Sequence, residues 1–116
     1  MNFLLVFLGG GIGSVLRYMI GLGFQNSSLK LPVATLVSNV IACIIFAFIL
    51  NFILNKSQEN SLKLLLLTGL CGGLSTFSTF GYETFLLLKQ QQYLWMILNI
   101  LISLIVCISS FFLLKK

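Results

Sequence analysis

Four apolar stretches, at roughly residues 3–23, 32–54, 64–88 and 94–114, take up most of this chain, and each is close to the ~20 residues that a helix needs to cross a bilayer. Only short loops separate them, near 24–31, 55–63 and 89–93. These are too small to hold a soluble domain, so the chain's function is expected inside the membrane. Composition agrees: 8% of the residues are charged, where soluble domains carry about 25%. The expectation is an all-α, multi-pass protein of the cell membrane, with residues 1–116 forming a single four-helix transmembrane domain. Phe3–Leu16 has the length of a signal-peptide apolar region, but no Lys or Arg precedes it and Arg17 follows it, so it reads as the first span.

Several function classes fall away on residue inventory. The chain has no histidine and its only acids are Glu59, in a loop, and Glu83, which leaves no acid–base pair and no Ser/His arrangement. An enzyme is not expected. The net charge of +5 reflects loop lysines without a basic patch, so nucleic acid is not an expected partner. Cys43, Cys71 and Cys107 all fall within spans and have no histidine to join them in a metal site; they read as small apolar residues. Lys56, Lys63, Lys115 and Lys116 lie on the N-terminal side of the membrane, against Lys30 and Lys89 with Arg17 toward the other. Because Lys/Arg bias sets topology, so thin a margin permits insertion either way round, and with it an antiparallel dimer.

Polar side chains within the spans mark the working surface, because the bilayer core offers them no water. Thr35, Ser38 and Asn39 share one face of the second span, and Asn99, Ser103, Cys107 and Ser110 share one face of the fourth. Each either bonds a neighbouring helix, at about 0.6 kcal/mol per contact, or lines a wet path. In the first span GGGIG at 9–13 places Gly9 and Gly13 at the spacing that lets helices approach closely. Arg17 sits about 9 Å from that span's end, within reach of snorkelling or of lining a vestibule. Glu83, the intramembrane carboxylate, reads equally as a vestibule group or as a helix-end charge.

The third span contains GLCGGLSTFSTFGYETF at 69–85, whose glycine and hydroxyl residues straddle the centre of the span near residue 76. Adjacent glycines cost about 1 kcal/mol each in a helix interior, and Ser75 and Thr76 suit the cap of a helix restarting near Phe77. The expected outcome is two half-helices, 64–71 and 76–88, broken at the midplane. Such a break frees carbonyl and N–H groups, which are tolerated at that depth only where they meet an ion or water. The alternative is an unbroken helix whose glycines pack against a neighbour. Phe77 and Phe80 follow at i,i+3, beside Ser78 and Thr79; taken alone they read as lipid-facing. An aromatic ring has a positive edge, however, and rings presented edge-on stabilise a small anion without holding it tightly.

The segment GGLSTFSTFGYE at 72–83 resembles the third-helix signature of the Fluc (CrcB) fluoride channel family, usually GGLTTFSTF. GGGIGSVLRY at 9–18 and TLVSN at 35–39 resemble the family's first- and second-helix motifs, and the likeness covers the whole four-helix plan. It implies a dual-topology antiparallel dimer in the bacterial inner membrane that exports fluoride passively through two pores, with a structural sodium ion at the dimer interface. By position, it implies that the carbonyls of Gly72 and Ser75 from both subunits hold the sodium. It further implies Phe77 and Phe80 as pore phenylalanines, Asn39 as a pore amide donor, Ser78 and Thr79 as pore hydroxyls and Ser103 as their continuation on the fourth helix. Arg17 then shapes the vestibule and Glu83 lies by the pore. Ser75 stands where threonine is usual, Ala34, Ser38 and Ala42 replace glycine, valine and glycine, and Asn99 stands where a tyrosine is often found.

Two other classes compete. A small four-helix proton-coupled multidrug exporter also forms antiparallel dimers, but it needs a carboxylate deep in a helix, and the first span has none. A purely structural membrane subunit leaves the cluster of glycine, hydroxyl and phenylalanine residues without a role. Besides lipid, a protein partner is expected, either an identical chain or a related chain of opposite orientation, since four helices alone do not readily enclose a pore; two-fold pairing is the commonest arrangement.

Overall fold

A computed structural model describes residues 1–29, 31–53 and 60–114; Lys30, Lys56, Glu59, Lys115 and Lys116, which enter the orientation reading and the acid inventory, lie outside the described residues. The helices are α1 (Asn2–Gly23), α2 (Val33–Phe48), α3 (Asn60–Leu62), α4 (Gly72–Leu74), α5 (Phe77–Lys89) and α6 (Tyr93–Leu113). A π-helical turn at Ile49–Ile53 extends α2, and a π-helical segment at Lys63–Cys71 joins α3 to α4. Four stretches are long and apolar enough to cross a membrane: Asn2–Gly23, Val33–Asn51, Lys63–Lys89 and Tyr93–Leu113. They agree with the expected spans to within a few residues, because span length and hydropathy are local properties of the chain.

Punctuation residues set the helix ends. The single proline, Pro32, caps α2, where its missing N–H costs nothing, and its carbonyl accepts from Leu36 N at 3.2 Å. Between α5 and α6, Gln91 N donates to Leu88 O at 3.0 Å and Gln92 N to Leu87 O at 2.8 Å, the paired bonds of a Schellman turn. That turn holds Gln91 at φ 61°, a left-handed conformation that costs an L-residue about 1 kcal/mol or more. Gln91→Gly is therefore expected to stabilise the protein by about 1 kcal/mol, read as a higher thermal midpoint in detergent. An unchanged or lower midpoint would contradict this account of the turn.

The interior mixes polar side chains with apolar ones, and the outside is apolar. Ser38 and Asn99 are among the largest fully buried side chains, each 1% exposed, while Phe3 is 92% and Leu113 83% exposed. Thr35, Ser103 and Ser110 are also buried. Both polar stripes thus turn inward, where α2 packs against α6 and α6 also packs against α5. An outer surface of this kind suits hydrocarbon, which charges nothing for exposed leucine and a great deal for an exposed amide.

α1 packs chiefly on the Lys63–Cys71 segment and α4. The contact is backbone on backbone. A Cβ added to Gly9 would run into Leu65 O and come within 2.9 Å of Leu70 N, and one added to Gly73 would run into Gly10 O. The Gly9/Gly13 spacing on α1 therefore meets a second one, Gly69/Gly73. This corrects the expected half-helix boundary: Gly72, at φ −63° and ψ −36°, and Gly73 stay within helical segments, and no described glycine has positive φ. What the fold uses at Gly73 is the missing side chain, and the extended angles fall later, at Ser75 (φ −80°, ψ 158°) and Thr76 (φ −151°, ψ 119°).

Candidate functional site

The site grows from those two extended residues. Ser75 closes the preceding helix, its N–H and its Oγ each donating to Cys71 O at 3.0 Å. Thr76 then turns to α2: its N–H donates to Asn39 Oδ1 at 2.8 Å, and Asn39 Nδ2 donates to Thr76 O at 3.4 Å. One amide side chain thus serves both backbone groups of the extended residue. Thr76 is also the N-cap of α5, with Thr79 N donating to its Oγ1 at 3.2 Å. Of the two caps the sequence offers, threonine performs the role and serine bonds backward.

These bonds decide which carbonyls are left over. In an unbroken helix Gly72 O would accept from Thr76 N and Ser75 O from Thr79 N. Both amides are engaged elsewhere, by Asn39 and by the Thr76 hydroxyl. Gly73 O, in contrast, accepts from Arg17 Nε at 3.1 Å. Arg17 therefore reaches from α1 to the end of α4, a contact that its place in the sequence does not reveal. Gly72 and Ser75 share a hollow of about 130 Å³ with Phe46 and Phe111, whose rings meet edge to face at 5.8 Å.

A larger cavity of about 230 Å³ lies beside the extended link, lined by Asn39, Ser75, Thr76, Phe77, Phe80 and Ser103 among others. The Phe77 and Phe80 rings stand 5.9 Å apart, tilted by 37°. Phe77 is 83% exposed, so much of its surface is left to something outside this chain. The Ser103 hydroxyl is buried with no hydrogen-bond partner among the described residues. Ser78 and Thr79 stand at the start of α5, with Thr76 Oγ1 3.4 Å from Ser78 Oγ and donating to Thr79 Oγ1 at 3.1 Å.

Asn99 reaches the site indirectly. Its Nδ2 donates to Thr84 Oγ1 at 3.0 Å, and that hydroxyl donates to Phe80 O at 2.7 Å, which ties α6 to the turn of α5 carrying Phe80. The sequence signal was Thr84 one helical turn beyond Phe80, the spacing at which threonine bonds back to a carbonyl. Glu83 lies apart from this cavity. It lines a hollow of about 240 Å³ with the end of α1 and the start of α2, near Thr35, and its Oε1 has no hydrogen-bond partner among the described residues.

A family profile described as "CrcB-like protein, Camphor Resistance (CrcB)" matches residues 4–114. A protein of Pectobacterium carotovorum named fluoride-specific ion channel FluC is 41% identical over 102 residues, covering 87% of this chain and 80% of its own length. One of Yersinia pestis, named fluoride-specific ion channel FluC 1, is 37% identical over 118 residues, covering 97% and 93%. A relative with the FluC name in Methanococcus maripaludis is 37% identical over 110 residues, covering 95% and 89%.

Proposed function

This chain belongs to the CrcB-like family, and from that membership we propose that it is a passive fluoride channel, exporting the ion through pores built at the extended Ser75–Thr76 link. It is a multi-pass membrane protein and, like the channels it is related to, not an enzyme. The observation that supports the pore most directly is the Ser103 hydroxyl, a buried donor without a partner among the described residues, set in a cavity beside Phe80. A buried hydroxyl left unbonded costs about 1–3 kcal/mol, so a site that keeps one suits an acceptor that comes and goes.

Fluoride gives up part of its hydration on entry and must find replacements. The hollow beside Glu83 and Thr35 is the vestibule in this reading. Deeper in, Asn39 has one Nδ2–H beyond the bond to Thr76, Ser103 offers its hydroxyl, and the ring edges of Phe77 and Phe80 supply weak positive potential. Ser78 and Thr79 extend the hydroxyl track, and Arg17, bound to Gly73 O, adds positive charge close to the link. Weak, successive contacts of this kind favour conduction over retention.

The Gly72 and Ser75 carbonyls fit a structural sodium ion. Their helical donors are engaged by side chains, and oxygen is the ligand that hard cations take. One chain supplies two such oxygens, so a two-fold partner would complete the set and, with it, the surroundings of the exposed Phe77. The bound cation would offset the facing carbonyl dipoles. We take the partner to be a second copy inserted in the opposite sense, the discontinuity of the third span lying near the bilayer midplane in both. Tags on one terminus, tested for access from each side of the membrane, separate this from a fixed-orientation heterodimer.

The exporter reading is not favoured, since the relatives are named as ion channels and Glu83 lines a hollow at the end of the bundle. Purified protein in liposomes is expected to release fluoride while retaining chloride. Phe80→Ile, which removes ring edges worth about 1 kcal/mol, should slow release about fivefold. Chloride leaking as fast as fluoride, or Phe80→Ile conducting normally, would sink this pore.

A further inference from the structure

Among the described residues three cysteines are free, and two of them line one cavity. Cys43 lies one helical turn beyond Asn39 on α2, and Cys107 one turn beyond Ser103 on α6, so each thiol falls on the face that carries a proposed pore donor. α2 and α6 pack together, and both thiols line the cavity of about 230 Å³ that holds Phe77 and Phe80. Neither is fully buried, whereas Cys71, which shares the smaller hollow with Cys43, is buried.

We propose that Cys43 and Cys107 form a binding site for a soft, two-coordinate metal cation, and that occupancy of this site blocks the adjacent fluoride path. The ligand set selects the ion. Paired thiols favour soft cations, whereas sodium, magnesium and calcium take oxygen ligands. No group of three or more His, Cys, Asp or Glu side chains is placed to hold a metal among the described residues, so the four-coordinate site that zinc prefers is not formed. Mercuric ion is the matching probe. Two S–H bonds break, two S–Hg bonds form, two protons pass to the buffer, and the dithiolate complex carries no net charge. A neutral complex is the form that an apolar membrane cavity accepts at least cost.

The blockade rests on the channel reading above; the binding does not, so the two are measured separately. Mercuric chloride is titrated into the detergent-purified protein, following the sulfur-to-mercury absorbance and the thiols that remain reactive. Wild type and Cys71→Ser are expected to bind one mercury at the cost of two thiols and to release it to a dithiol but not to a monothiol. Cys43→Ser and Cys107→Ser should lose about 100-fold in affinity, the advantage of two-point attachment. The alanine variants at both positions guard against a serine that perturbs packing. Equal retention of mercury by the Cys43 and Cys107 variants, or uptake by Cys71 in preference to the pair, overturns the site.

Fluoride efflux from liposomes is then measured with and without mercury. Efflux that stops in wild type and Cys71→Ser but continues in Cys107→Ser supports the blockade, and efflux that continues in loaded wild type overturns it. Liposomes that release no fluoride before mercury is added count against the channel reading and with it the blockade, while the titration still decides the metal site.

Discussion

Gly13→Ala should leave little correctly folded protein, whereas Gly11→Ala, two residues away, should fold as well as the parent. A Cβ at Gly13 would run into Leu70 O, lie 2.7 Å from Leu74 N and 3.1 Å from the Gly73 carbonyl carbon. All three are backbone atoms of the neighbouring span, so no side chain can rotate aside and the helices must separate. Overpacking of this kind costs about 3 kcal/mol, a large share of what holds a small membrane domain together. At Gly11 nothing lies within 4 Å, and alanine there gains about 1 kcal/mol of helix propensity. Thermal midpoints in detergent and the monodisperse yield after solubilisation report both. The pair separates close packing from a general need for glycine: similar losses at Gly11 and Gly13 would refute the interlock. Any Gly13→Ala protein that survives should also conduct poorly, because separating α1 from α4 pulls Arg17 Nε from Gly73 O.

The second large effect is expected at Asn39. Asn39→Ala removes the acceptor of Thr76 N and the donor to Thr76 O together. Each group, left unbonded away from water, costs about 1–3 kcal/mol, and continuing the helix through Thr76 is the one local way to satisfy them. That would return donors to Gly72 O and Ser75 O and erase the site, so fluoride release should fall about 100-fold or more in liposomes. Asn39→Asp separates the structural role from the transport role. An ionised aspartate still accepts from Thr76 N but cannot donate, and it sets a negative charge on the proposed path. The expected result is a folded protein that does not conduct; normal conduction by either variant would remove Asn39 from the mechanism.

Particular residues show how far the sequence could be read. Thr35, Ser38, Asn99 and Ser103 are inward-facing, as the helical spacing required, because a polar group in hydrocarbon has only the protein to turn to. Gly9 and Gly13 pack against a neighbour as their spacing suggested. The same spacing recurs at Gly69 and Gly73; the adjacent pair Gly72–Gly73 reads as a break, with packing against a neighbour as the alternative, and the packing is what Gly73 shows, so the helix runs on to Leu74. The distance of Arg17 from the end of its span carries no information about Gly73 O on another helix. Cys43 and Cys107 read as small apolar residues, and that they line one cavity follows from how α2 and α6 pack, which no linear chain indicates.

From the sequence alone came the number of spans, their limits, the inward polar faces and the family resemblance, since hydropathy and periodicity belong to each segment independently of its neighbours. Tertiary structure decided the partners. It chose Ser75 and Thr76 rather than the glycines as the extended residues, gave Asn39 the backbone of Thr76, and joined Asn99 through Thr84 to Phe80. The reason is geometric: a hydrogen bond or a glycine contact between helices depends on their relative rotation and separation, which packing of the whole bundle sets and no single segment encodes.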